Sequence, residues 1–354
     1  MLFAHFSTPL LAALFVIASA AIWVAGVKIT KATDFIASYF KLGEAFGGMV
    51  FLAVVTNLPE IAITVVAAYN HNMDMAISNI LGGIAMQTVV LVLIDIFGVG
   101  KLGPLSLKST SLILLLEGLS LIFILTLVLT GKQFSSDLIF FRTTPFEWLI
   151  VAVWLGSIYL ISKQTPSAHP HPRKKVYSHE MTELDATQKA TDKKSDGYTS
   201  AKPALWVFSI CAVVTLFAGW SLEETGQLLA DRFDLGGVLF GATFLALATS
   251  LPEISTGITS ARMKDYQMAV SDIFGGNAFL PVLFIVASMI SGEAILPSLK
   301  PSDSYLTCIG IFLTGIYMVG MILRPRKQFL YMGIDSIIVL IVYSISVIGL
   351  LFLV

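Results

Sequence analysis

The sequence predicts an all-α membrane protein of ten transmembrane helices, arranged as two inverted five-helix repeats in which helices 2 and 7 are discontinuous. Three observations carry that prediction. Hydrophobic residues make up 56% of the 354 and charged residues only 13%, about half the charged share of a soluble domain. The stretch Thr56-Asn57-Leu58-Pro59-Glu60 returns 193 residues later as Thr249-Ser250-Leu251-Pro252-Glu253. The basic residues fall almost wholly into alternate connections between apolar segments.

Ten apolar segments approach the roughly 20 residues that a bilayer requires. They run 8–27, 42–69, 75–97, 111–130, 146–162, 203–222, 236–261, 267–290, 304–323 and 331–353. The first resembles a signal peptide in ending near Ala18-Ser19-Ala20, but it lacks a basic leading region. Lys28 and Lys31 follow the apolar run instead, so it reads as a helix that stays. The second and seventh segments carry Gly, Pro and polar residues at their centres, as broken membrane helices do. Of the 22 basic residues, 18 lie after odd-numbered segments and four (Lys132, Arg142, Arg232 and Lys300) after even ones. Because basic loops stay in the cytoplasm, both termini are expected outside.

Residues 163–202 form the only long polar stretch. They mix acids and bases with His169-Pro170-His171-Pro172 and few apolar anchors. Such a segment buries too little surface to offset its ordering entropy, so a flexible cytoplasmic linker is expected. It separates a first five-helix repeat, 1–162, from a second, 203–354. Cys211 and Cys308 lie in apolar runs and read as small buried hydrophobes.

Shifting the chain by 193 residues aligns 42–91 with 235–284 without a gap, and 20 of those 50 positions are identical. Five helices separate the copies, so the second is inverted. Inverted repeats with broken helices place their site at the repeat interface near the bilayer midplane. Glu60 and Glu253 are therefore expected to approach one another across a pseudo-two-fold axis. A carboxylate at that depth costs about 2.5–3.5 kcal/mol, which marks it as functional.

The candidate ligands are all hard oxygens, which suit calcium rather than zinc or copper. Two glutamates supply up to four. The hydroxyls of Thr56, Thr249 and Ser250, the amide oxygen of Asn57 and carbonyls freed by the prolines supply the rest. Two adjacent carboxylates repel, so the empty site takes up a divalent ion, protons or sodium. Asn79, Gly83 and Gln87 share one face of the third helix, as Asp272, Gly276 and Leu280 share one face of the eighth. Asp272 has two places open to it, at the site or nearer the cytoplasmic water. Glu117 and Asp95 read as interfacial or interhelical hydrogen-bonding groups.

The two Thr-x-Leu-Pro-Glu copies, each followed by Asn/Asp-Ile-x-Gly-Gly, resemble the calcium/cation antiporter superfamily, which includes the sodium/calcium exchangers. That resemblance implies calcium at Glu60 and Glu253 with Thr56 and Thr249 beside them. It also implies sodium at Asn57 and Ser250 and carbonyl ligands at Ala53 and Ala246; Asn79 and Asp272, from the third and eighth helices, complete the candidate metal-ligand set. The family's second element commonly ends Gly-Ser and carries an Asn or Asp four residues later. Here those positions are Gly83 and Gly276, then Gln87 and Leu280. Two hydroxyls and one acid are missing, and Asp272 lies about 12 Å along the helix from Leu280. The resemblance therefore supports the calcium site and leaves the counter-ion, sodium or proton, open.

The expected function is a secondary antiporter in a plasma or inner membrane, with the bilayer, Ca2+ and monovalent cations as its partners. No cofactor and no nucleic acid are implied. The nearer alternatives are a proton-coupled divalent exchanger and a cation channel. An intramembrane protease using Asp272 is set aside, because no Gly-x-Gly-Asp, His-Glu-x-x-His or embedded Ser/His pair is present.

Overall fold

A computed structural model describes residues 3–39, 51–134, 141–164, 200–235 and 237–353. Residues 165–199 of the expected linker, with its histidines, and residues 42–50 of the second apolar segment lie outside them, while the linker's expected ends, 163–164 and 201–202, belong instead to the flanking helices. Among the described residues the chain is helical apart from a two-residue hairpin, Gln328–Phe329 with Met332–Gly333. Seven helices are long and apolar enough to cross a membrane, or eight when the bent pair Gly237–Thr249 and Leu251–Arg262 counts as one span. Leu58–Tyr69 and Ile334–Leu350 are shorter apolar helices. Large side chains such as Val16, Phe123, Trp206 and Phe217 face outward, the arrangement that lipid permits and water disfavours.

The chain begins with α1 (Thr8–Tyr39), α2 (Phe51–Thr56), α3 (Leu58–Tyr69) and α4 (Met73–Ile94). A wide turn, Asp95–Val99, extends α4 toward α5 (Leu105–Lys108), and α6 (Leu112–Lys132) and α7 (Pro145–Gln164) follow. After the linker come α8 (Ala201–Phe233), α9 (Gly237–Phe240), the wide turn Gly241–Leu245, α10 (Ala246–Thr249) and α11 (Leu251–Arg262). The remainder is α12 (Tyr266–Phe279), α13 (Leu283–Ser291), α14 (Ile295–Ser298), α15 (Pro301–Leu323) and α16 (Ile334–Leu350).

Two expected spans prove longer. The helix expected over 8–27 continues to Tyr39, and the one expected over 203–222 continues to Phe233. No proline or glycine interrupts residues 27–39, and lysines at a membrane edge extend their heads to water without ending the helix. The eighth segment is also interrupted, because Pro281 opens a tight 3-10 turn at Leu280–Val282. Proline removes a backbone donor and crowds the preceding turn.

Equivalent residues, 193 apart, adopt the same local structure. Both central breaks fall just before the prolines, at Asn57 (φ −83°, ψ 14°) and Ser250 (φ −77°, ψ 4°). The second break bends its helix pair by 45°. His71 and Lys264 both take positive φ, 56° and 66°. The next residues, Asn72 and Asp265, then cap α4 and α12 by accepting from Met75 N and Met268 N. A side-chain oxygen at that position satisfies one of the orphan amides of the first turn.

Glycines set the closest approaches. A β-carbon on Gly26 of α1 would lie 2.7 Å from Pro252, and one on Gly219 of α8 would lie 2.7 Å from Ala62 and 3.1 Å from the Pro59 carbonyl. Each long helix thus seats a glycine against the broken helix of the other half. A β-carbon on Gly82 would overlap the backbone of Ala242 in the second wide turn. These contacts draw both breaks to the centre of the bundle.

Candidate cation site

The proline at the second position of α3 and of α11 ends the preceding helix and turns the next glutamate inward. Thr56, Asn57, Glu60, Thr249, Ser250 and Glu253 all have 1% exposure or less. The two halves interleave at this point. Thr249 stands beside Glu60 and Thr56 beside Glu253, so each carboxylate faces the hydroxyl of the opposite break. Asp272 lies beside these residues: it is 2% exposed, the Thr56 hydroxyl donates to its Oδ1 at 3.4 Å, and its charge acts on Glu253.

Gln87 joins the group from α4. Its Nε2 donates at 3.4 Å to both Asn57 Oδ1 and Glu60 Oε1. Its place on the Asn79–Gly83 face is a signal that the candidate ligand set passes over. Gly276 lets α12 come close to the first break, where its β-carbon would lie 2.7 Å from Asn57 Nδ2. At Gly83 the nearest atom, Leu280 Cδ1, is 3.6 Å away. Replacing Gln87 with Leu, the residue at the equivalent position 280, is expected to raise the half-saturating Ca2+ concentration about tenfold, the scale for a group that orients a ligand. Calcium uptake at varied Ca2+ checks this, with maximal rate and expression close to those of the unaltered protein.

Other expected ligands stand differently. The Ala246 carbonyl accepts from Ser250 N (3.0 Å), Ser250 Oγ (2.7 Å) and Thr249 Oγ1 (3.1 Å). The carbonyl is therefore already well occupied, while both hydroxyl oxygens, as donors, keep lone pairs free for an ion. Ala53 lies within α2. Asn79 is fully buried, and neither atom of its amide has a hydrogen-bond partner among the described residues. Asn277, which the candidate set omits, donates its amide to the carbonyl of Ile84 at 3.3 Å. These positions are themselves 193 apart, so the halves touch through equivalent residues there.

Glu117 and Asp95 are interhelical hydrogen-bonding groups. Glu117 accepts from Ser271 at 2.7 Å. Asp95 accepts from Leu105 N, Gly333 N and Ser336 Oγ at 2.7–2.8 Å.

Among the described residues Glu60 and Glu253 have no basic partner. Lys300–Asp74, at 2.6 Å and partly exposed, is the only ion pair among the described residues. Neither oxygen of Glu253 has a hydrogen bond of sound geometry, nor does Glu60 Oε2. The donors gathered here are the carboxylates of Glu60 and Glu253, with Asp272 close by, and hydroxyl, amide and carbonyl oxygens. That composition suits a hard ion with irregular geometry.

Buried glutamates without a basic partner among the described residues, set between broken membrane helices, define the class: multi-pass integral membrane proteins that carry cations. The profile of the family "Sodium/calcium exchanger protein" matches residues 10–162 and 203–352, and the chain belongs to that family. The chain is 23% identical over 269 residues to inner membrane protein YrbG of Escherichia coli (strain K12), covering 75% of this chain and 76% of that one. It is 24% identical over 296 residues to the putative antiporter CaxA of Alkalimonas amylolytica, covering 80% and 82%. Its fold is similar to that of native YfkE, with a TM-score of 0.64 at 14% identity over 99% of this chain and 94% of that one. The H+/Ca2+ exchanger CAX gives 0.58 at 14% over 97% and 87%. The sodium-calcium exchanger NCX_Mj, soaked without Na+ and Ca2+, gives 0.56 at 15% over 98% and 99%.

Proposed function

We propose that the protein is a Ca2+ antiporter that exchanges the ion for Na+ or H+ across the membrane by alternating access. The observation that carries this reading is the crosswise placement of Glu60 beside Thr249 and Glu253 beside Thr56 in a buried centre, where the two glutamates have no basic partner among the described residues. One divalent ion neutralises both glutamates, and so do protons or sodium ions. The bare site keeps repelling charges in a medium that solvates them poorly. Interconversion of inward- and outward-facing states then favours a loaded site, which enforces exchange over leak.

We read ten spans by counting the two shorter apolar helices, Leu58–Tyr69 and Ile334–Leu350, with the seven long helices and the bent pair. In our proposal they form two inverted sets of five, 1–162 and 203–354, joined by the linker 163–202. Both termini are extracytoplasmic in this arrangement. Two identical copies of the cap, break and glycine geometry, five spans apart, support it. The ion ligands are Glu60 and Glu253 with Thr56, Thr249, Asn57 and Ser250. Ala53, Ala246 and Asn79 are further oxygen donors, and Asp272 acts directly or through water.

The coupling is expected to differ from three sodium ions per calcium, because glycines stand at 83 and 276. Proton coupling is the second reading. The third buried acid favours it, since Asp272 offers a proton acceptor where the missing hydroxyls would have served sodium. Proteoliposomes with separately imposed Na+ and H+ gradients decide the matter. The expected result is Ca2+ flux driven by one of these gradients without steep third-order sodium dependence. A clear 3:1 exchange with matching charge movement would refute the coupling claim, and gradient-independent flux would refute the antiporter.

A further inference from the structure

A second buried carboxylate pair lies away from the centre, at the end of the bundle formed by the wide turn after α4, α5 and the start of α16. Asp95 opens the wide turn and Asp335 stands in the first turn of α16. They are 0% and 4% exposed. Both converge on Gly333, where a β-carbon would stand 2.5 Å from Asp335 Oδ1 and 3.4 Å from Asp95 Oδ2. Gly320 of α15 leaves the matching space on the other side, 2.8 Å from Asp335 Oδ2 by the same measure.

The hydrogen bonds around the pair are unevenly shared. Asp95 receives three donors on two oxygens, the environment of an ionised carboxylate. Asp335 receives none of sound geometry at either oxygen, although the first turn of a helix favours its charged form. Two further buried oxygens beside it are also without partners, Tyr317 Oη and Ser106 Oγ. Tyr317 lies within electrostatic reach of both carboxylates, and the Ser106 hydroxyl stands beside Asp335. Neither acid forms an ion pair with Lys, Arg or His among the described residues. Two buried carboxylates with no counter-charge among the described residues, flanked by two hydroxyls that lack a hydrogen bond of sound geometry, make a place that a cation would neutralise.

We propose that Asp335, Asp95, Ser106 and Tyr317 form a second site for a hard divalent cation, separate from the exchange site. The donor set is oxygen alone, which excludes a preference for soft metals. Two carboxylates match the charge of a divalent ion. Asp95 is already tied by hydrogen bonds to α5, the hairpin and α16. An ion shared with Asp335 fastens α15 to that group as well, so it acts as a clamp on this end of the bundle and not as cargo.

The test uses the full chain carrying Glu253→Gln, which silences the exchange site and keeps the two proposals separable. Thermal unfolding is followed in chelator, then with Ca2+, Mg2+ or Na+ alone, at several pH values. The expected result is a rise in midpoint of roughly 5 °C with a divalent ion at a hundredfold excess over its Kd. Adding Asp335→Asn removes that rise. The double change Ser106→Ala with Tyr317→Phe, which keeps both acids, shifts the divalent concentration needed about tenfold upward and serves if Asp335→Asn fails to fold. A Glu253→Gln protein whose midpoint ignores divalent ions overturns the proposal. So does a midpoint that follows pH alone and loses that dependence with Asp335→Asn, which would assign a shared proton to the pair.

Discussion

Glu253→Gln is expected to abolish Ca2+-dependent exchange in proteoliposomes while leaving the protein folded. The substitution keeps the shape of the side chain and removes one of the two charges available to the ion. Two unit charges 4 Å apart at an effective dielectric near 20 attract by about 4 kcal/mol, roughly a thousandfold in affinity. A divalent ion at bonding distance loses at least that much. Stability should move the other way in the empty protein, since Glu253 is fully buried, has no hydrogen bond of sound geometry, and faces Glu60 and Asp272. Thermal unfolding in chelator is therefore expected to occur at the same temperature or higher, and the exchange-site share of Ca2+ stabilisation should vanish. Exchange at the normal rate would remove Glu253 from the site. Glu60→Gln is expected to behave alike.

The second large effect is steric. Gly82→Ala places a β-carbon into the backbone of Ala242, where no side-chain rotation relieves the overlap. Forcing extra volume into a packed interior costs about 1–3 kcal/mol, and backbone against backbone lies at the upper end. The wide turn that would have to yield, Gly241–Leu245, leads directly into Ala246 and the second break. A lower unfolding temperature should therefore come with a severe loss of Ca2+ uptake. Gly156→Ala is the control: nothing lies within 4 Å of a β-carbon there, and alanine favours a helix interior by about 0.5–1 kcal/mol. Equal behaviour of the two variants would show that the approach at Gly82 is not needed.

Much of the centre is legible in the sequence because it is written twice. A proline followed by a glutamate in an apolar run has few physical meanings, and its return at a fixed interval leaves fewer. The breaks at Asn57 and Ser250 follow from proline chemistry alone. Other features depend on contacts between distant positions. Asp272 shows its depth in the sequence but not its neighbour Thr56, 216 residues away. Gln87 reaches the first break only once α4 has packed against α3. The long extensions of α1 and α8 escape a reading based on apolar length, because membrane thickness limits hydrophobicity and not helix. Asp95 reads correctly as a hydrogen-bonding group, yet its partners lie up to 241 residues off.

The crossing of Gly26 with Pro252 and of Gly219 with Pro59 bears on how such a chain could arise. Each half supplies the seat for its counterpart's broken helix, so neither half has a complete seat by itself. A single ancestral half inserted into the membrane in both orientations would meet the same two contacts between separate molecules, glycine against proline and proline against glycine. Fusion of two copies would then change no contact at the centre. It would fix the ratio of the two orientations at one to one and free each copy to diverge, as Asn79 and Asp272, or Gln87 and Leu280, have done. In those terms, the unequal side chains at 79 and 272 are a difference that two separate copies permit and a single shared half would not.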